Sequence, residues 1–173
     1  MKITKVEKFL AKSGSCKSLV IFLHGYGANG ADLISLSEPI SNHFPNTVFL
    51  SPNAFQPCPG NPMGFQWFPI EWLYGDKSID VEVEIEESVT HLRSWINSQA
   101  KNFGVSPGNT LIVGFSQGTM MALHLATRGM ESFAGVVGFS GKLLKPKELS
   151  KKSKVTMPIL LVHGTDDEVV PLE

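Results

Sequence analysis

The chain has 173 residues, 42% of them hydrophobic and 18% charged, which is the length and balance of a single water-soluble globular domain spanning 1–173. A net charge of −1 leaves no basic face for nucleic acid or an anionic membrane surface, and no segment approaches the ~18 apolar residues of a membrane span, so a small-molecule partner is expected. Two cysteines, Cys16 and Cys58, form neither a disulfide framework nor a metal-ligand spacing, and the first fifteen residues lack a signal-peptide run; no metal, no cofactor and a cytoplasmic location are the expectation.

Ile3 to Phe9 alternates weakly, as an edge strand does, and Ser13-Gly14-Ser15 turns the chain. Leu19 to Leu23 is continuously apolar, the pattern of a strand buried on both faces in a parallel sheet. It runs into His24-Gly25-Tyr26-Gly27-Ala28-Asn29-Gly30, a glycine-rich loop at a strand's carboxyl end, where open α/β sheets hold ligands. Such a loop lets backbone approach a ligand and aim an N–H at it, although a plain strand-to-helix turn has the same composition. Asn29 or Asp32 can cap a helix over Leu33–Phe44, with Pro39 bending or breaking it.

Thr47 to Leu50 is the next buried strand, and Ser51 to Ile79 follows as a long irregular stretch with five prolines. Phe55, Met63, Phe65, Trp67, Phe68, Trp72, Leu73 and Tyr74 lie in it, and loops of that length line pockets or pin themselves to the core. Asp80 to Phe103 is a long helix: Val81, Ile85, Val89, Leu92, Ile96 and Phe103 fall on one face, and Gly104 ends it. Its acidic start, Glu82, Glu84, Glu86 and Glu87, favours the positive end of the helix dipole and is a solvated helix start.

The chemistry concentrates between Asn109 and Gly129. A short apolar run, Leu111, Ile112 and Val113, leads into Gly114-Phe115-Ser116-Gln117-Gly118 and then an Ala/Leu/Met-rich helix capped by Gly129. Strand, G-x-S-x-G and helix in that order form a nucleophile elbow, with Ser116 exposed at the strand end and the helix N-terminus aimed at any oxyanion beside it. Phe133 to Phe139 is a further buried strand, followed by a solvated connection carrying Lys142, Lys145, Lys147, Lys151, Lys152 and Lys154. Pro158 introduces the last strand, Ile159 to Val162, which delivers His163-Gly164-Thr165-Asp166-Asp167. The alternation of strands and helices predicts an α/β fold, a mostly parallel sheet covered on both faces.

The wording F-L-H-G-Y-G-A-N-G, S-P-N-A, Q-W-F, G-F-S-Q-G and V-H-G-T-D-D-E-V-V-P resembles the phospholipase/carboxylesterase family of α/β-hydrolases, which includes the acyl-protein thioesterases. The likeness runs from about Lys17 to the end of the sequence. It implies a serine hydrolase of carboxylic esters or thioesters, with Ser116 as nucleophile and Asp167, four residues before Pro171, as the acid. It further implies an oxyanion hole from the backbone N–H groups of Tyr26 and Gln117, and an acyl pocket bordered by Phe65, Trp67 and Phe68. Pro69-Ile70 stands where the family often has an acid after its W-F pair.

In this fold the triad runs Ser, acid, His, yet no histidine follows Asp167 in the sequence. Of the five present, His24 belongs to the oxyanion loop and is a poor candidate base. His43 and His91 lie on helices, His124 is eight residues along the helix from Ser116, and His163 belongs to the acid's own strand. The resemblance therefore implies a chain that lacks the C-terminal strand and helix of the family. Two expectations follow: little or no turnover by these residues alone, the alternative being an inactive fragment or acyl-binding pseudoenzyme, and an open edge at Ile159–Val162 disposed to self-association.

Overall fold

The computed structural model describes residues 1–70, 80–128, 132–144 and 157–172. Eight strands occur there: β1 (Val6–Phe9), β2 (Ser18–Leu23), β3 (Thr47–Pro52), β4 (Gln56–Cys58), β5 (Asn61–Gln66), β6 (Thr110–Phe115), β7 (Gly135–Phe139) and β8 (Ile159–Val162). The helices are α1 (Gly30–Ile34), α2 (Ser37–Ile40), α3 (Val81–Asn102) and α4 (Gln117–Thr127). Six strands form one sheet in the order β1-β3-β2-β6-β7-β8, parallel throughout except for β1, which pairs antiparallel with β3 at the edge.

The apolar runs of β2 and β3 become inner strands because both of their faces are covered, whereas that of β8 forms an exposed edge. Leu19, Ile21 and Leu23 of β2 are fully buried and join Ile112 of β6, Val136 of β7, and Leu92, Ile96, Met121 and Leu125 of α3 and α4 in the main core. The alternate residue Phe22 turns to the other face and stacks on Phe49, whose edge meets Phe9. Each such side chain removed from water stabilises the fold by about 1.5–3 kcal/mol.

The long helix has the bounds its apolar stripe predicts. Asp80 caps it by accepting from the N–H groups of Glu82 and Val83, and Val81, Ile85, Val89, Leu92 and Ile96 face the core. Two expectations are corrected. The helix expected over residues 33–44 is two short ones, α1 and α2: α1 starts earlier, at Gly30, in a capping box between Asn29 and Asp32, and Pro39 sits within α2. The stretch 51–79, expected to be irregular, contains the β4–β5 hairpin, which turns through Pro59-Gly60. Its prolines are tolerated because this is a separate two-stranded ribbon rather than a central strand. Trp72, Leu73 and Tyr74, the Gly129 cap, and Lys145, Lys147, Lys151, Lys152 and Lys154 lie outside the described residues.

Candidate active site

Strand register brings the chemistry to one edge of the sheet. Leu23 pairs with Gly114, Phe115 with Phe139 and Phe139 with Val162, so the residues that follow, His24, Ser116, Ser140 and His163, emerge at neighbouring carboxyl ends. Ser116 leaves β6 at φ 52°, ψ −115°, a left-handed conformation that a non-glycine residue holds at a cost of about 1–3 kcal/mol. It is held there by its N–H, which donates to the Phe139 carbonyl (2.9 Å), and by its carbonyl, which accepts from the Met120 N–H (3.2 Å). The Gln117 N–H lies in the first turn of α4, where an α-helix offers it no internal acceptor.

The loop after β2 faces this elbow at contact distance. A Cβ placed on Gly25 would lie 3.3 Å from the Ser116 Cβ and 3.1 Å from the Phe115 ring, so a glycine lets this loop close on the serine. The hairpin pins the loop from outside: Gly27 N–H donates to the Phe65 carbonyl (3.0 Å), Phe65 N–H donates to Ala28 (2.8 Å), and the Asn61 amide donates to Gly27 (2.9 Å).

His24 pins it from inside. Its Nε2 accepts from the Ala54 N–H (3.0 Å) and therefore carries no proton, which leaves Nδ1 to donate to the Gly25 carbonyl (2.7 Å). Burial lowers its pKa and keeps the ring neutral. With both nitrogens committed to backbone, His24 is an anchor of the loop.

Trp67 is fully buried and ties three parts of the site together. Its indole Nε1 donates to the His24 carbonyl (2.9 Å), its backbone N–H to the Gln117 side-chain oxygen (2.9 Å), and its carbonyl accepts from the Ser88 hydroxyl (2.6 Å). The Gln117 amide nitrogen completes the clamp by donating to the Phe68 carbonyl (2.7 Å). Sequence reasoning placed Gln117 in the site for its backbone and missed the work of its side chain. A buried polar residue directly after the serine was the signal that such partners exist.

A cavity of about 380 Å³ opens at Ser116, within the range of small-ligand pockets. Tyr26, Gln117 and Phe68 line it with Ser116, together with Ile70, Phe115, Met120, Leu144, Val169 and Val170 and the exposed Lys142. Of the three aromatics expected to border it, Phe68 does so. Trp67 stands behind the wall as the hydrogen-bonded anchor, and Phe65 acts through its backbone on the loop after β2.

Asp167 follows β8 in a turn that shapes its carboxylate. Its Oδ1 accepts from the N–H groups of Val170 (2.9 Å) and Val169 (3.0 Å), and Oδ2 lies 3.6 Å from the His163 Nε2. The Val170 N–H, then that of Val169, the Ser140 hydroxyl and the His163 ring hold its pKa below the usual carboxylate value. His163 in turn bonds through Nε2 to the Val170 carbonyl (2.6 Å). The other imidazoles lie elsewhere: His43 beyond α2, His91 on α3 with Nδ1 against the Glu87 carbonyl, and His124 buried on α4, about 12 Å of helix rise from Ser116. Among the described residues, no group of three or more His, Cys, Asp or Glu is arranged to hold a metal ion.

Known proteins share this fold and sequence pattern. The crystal structure of esterase PE8 superposes with a TM-score of 0.85 at 38% identity, over 96% of this chain and 77% of that one. Acyl-protein thioesterase 1 of Schizosaccharomyces pombe is 33% identical over 162 residues, 88% of this chain and 69% of that protein. Esterase YpfH of Escherichia coli is 27% identical over 171 residues, 97% of this chain and 70% of its own length. The profile of the family described as Phospholipase/Carboxylesterase matches residues 5–173, and with an α/β-hydrolase sheet beneath that match the chain belongs to the phospholipase/carboxylesterase family.

Proposed function

We propose that the site is that of a serine hydrolase of carboxylic esters or thioesters, with Ser116 as nucleophile. The family and its esterase and thioesterase relatives support the reaction class. The observation that carries the assignment is Ser116 held at φ 52° on its elbow, against the Gly25 backbone and at the mouth of a largely apolar cavity. In the reaction, the serine Oγ bonds to the substrate carbonyl carbon while its proton passes to a base. The oxyanion then rests on the Tyr26 and Gln117 N–H groups, and the alcohol or thiol departs with a proton. Water attacks the acyl-serine and releases the acid. Asp167, kept ionised by its N–H donors, is the acid that steadies an imidazolium.

The base decides how fast these 173 residues turn over. His24 has both nitrogens committed, His124 is a helix length away, and His163 Nε2 is bonded to Val170, so none of them serves Ser116 in this arrangement. Without that base a serine hydrolase loses on the order of 10⁶ in kcat. The 173-residue chain is expected to hydrolyse p-nitrophenyl acetate slowly, with Ser116→Ala changing the residual rate less than about threefold, because the oxyanion donors still assist direct attack by water. Brisk turnover abolished by Ser116→Ala would instead assign the base to one of the five histidines or to a partner chain. The same placement favours a second reading, that the cavity binds acyl groups without turning them over. Equilibrium binding of an ester with no product formed over hours distinguishes it.

The far edge of the sheet supports a proposal on association. All four residues of β8 are exposed, from 37% at Ile159 to 57% at Leu160, and none is charged. Among the described residues β8 ends the strand order, which leaves one side of its backbone for pairing. A second copy of the chain, pairing edge to edge, is expected to cover it. Sedimentation at rising concentration should show dimers or larger species, and Leu160→Lys should return a monomer. A wild-type chain that stays monomeric would rule the pairing out.

A further inference from the structure

Among the described residues, the cavity at Ser116 is lined by apolar side chains and uncharged polar groups with one exception, Lys142. Its place is set by backbone. The preceding Gly141 packs so tightly that a Cβ there would lie 2.4 Å from the Thr119 Cβ and 2.8 Å from the Ser116 carbonyl oxygen. Lys142 therefore leaves the chain one residue from a point fixed against the nucleophile's own backbone. Its side chain is exposed, and no carboxylate among the described residues pairs with it. Asp167, beside the Val169–Val170 wall, directs Oδ1 to two backbone N–H groups and also meets Ser140, so its charge is already engaged.

Resting on the reading of Ser116 as the nucleophile, we propose that Lys142 determines specificity by selecting esters or thioesters whose acyl or leaving part carries an anionic group, a carboxylate or phosphate, at the far end of a short apolar chain from the scissile carbonyl. An apolar substrate body fills the cavity against Phe68, Ile70, Met120 and Leu144, and its anionic end meets the ammonium at the rim. A charge pair at such a rim discriminates modestly and is weakened by salt. The long methylene stem of Lys142 serves the neutral part of the ligand as well.

The test uses the full chain carrying Ser116→Ala, so that binding is read without turnover, and two esters of one length: monomethyl suberate, with a carboxylate at one end, and dimethyl suberate, which is neutral. Titration calorimetry is expected to give about five- to tenfold tighter binding of the monoester, falling to twofold or less in 0.5 M sodium chloride. Lys142→Met, which keeps the apolar stem, should equalise the two affinities, and Lys142→Glu should reverse their order. Unchanged urea midpoints would show both variants folded, as an exposed position allows. Equal binding of both esters to the chain with Lys142 intact, or a preference that survives Lys142→Met, overturns the role of Lys142 and leaves the esterase site standing. Binding of neither ester overturns both.

Discussion

Replacing Gly118 with alanine is expected to cost the fold about 3 kcal/mol and to disperse the site, because that glycine is where α4 touches the end of β2. A Cβ there would lie 1.9 Å from the Leu23 carbonyl oxygen and 2.8 Å from that of His24. Neither can step aside: Leu23 is locked in register with Gly114, and the His24 ring is bonded on both sides to backbone. The start of α4 has to move instead, and it carries Ser116, the Gln117 N–H and the Gln117 clamp on Trp67 and Phe68. A lower urea midpoint together with weakened binding of monomethyl suberate in the cavity is the expected pair of results. Gly164→Ala supplies the control, since no atom of the described residues lies within 4 Å of a Cβ there, and a shift below about 0.5 kcal/mol is expected. A Gly118→Ala chain as stable as the wild type would mean that α4 does not sit against β2 in this way.

Acid should weaken the fold by about 3 kcal/mol between pH 6.5 and pH 4 through His124 alone. This ring is buried on α4, its two nitrogens have no hydrogen-bond partner among the described residues, and burial lowers its pKa from 6.5 to about 4. The unfolded chain takes up a proton as pH falls through 6.5, whereas the folded chain resists until about pH 4. The stabilisation is therefore complete above pH 6.5 and lost progressively below it. His24, also lowered by burial, acts in the same direction. Urea midpoints measured from pH 7 to pH 4.5 should fall steeply for the wild type and distinctly less for His124→Met, which fills similar space without a titrating group. Parallel slopes for the two chains would assign the acid sensitivity to other groups.

That loss is a large part of the 5–15 kcal/mol typical of a domain. It also bears on the alternative base. A histidine whose protonation weakens the helix that presents Ser116 is built to stay neutral, so its role is that of a core residue.

The sequence by itself determined the elements that local pattern encodes. The apolar run Leu19–Leu23 requires burial on both faces, the stripe Val81, Ile85, Val89, Leu92 and Ile96 requires one face of a helix, and G-x-S-x-G between an apolar run and a helix former requires a tight elbow. These signals act within about one turn or one strand, so they survive without knowledge of the rest of the fold. The places of Ser116, Tyr26, Gln117 and Asp167, each just after a strand that its own neighbours mark, were legible for that reason. Tertiary structure alone decided what the buried polar side chains do. Trp67 meets Gln117 across 50 residues of chain and His24 across 43, and His24 meets Ala54 across 30. Whether such a residue lines the cavity or braces its wall depends on which donor lies within about 3 Å of it, and that is settled by how strands separated in sequence come side by side.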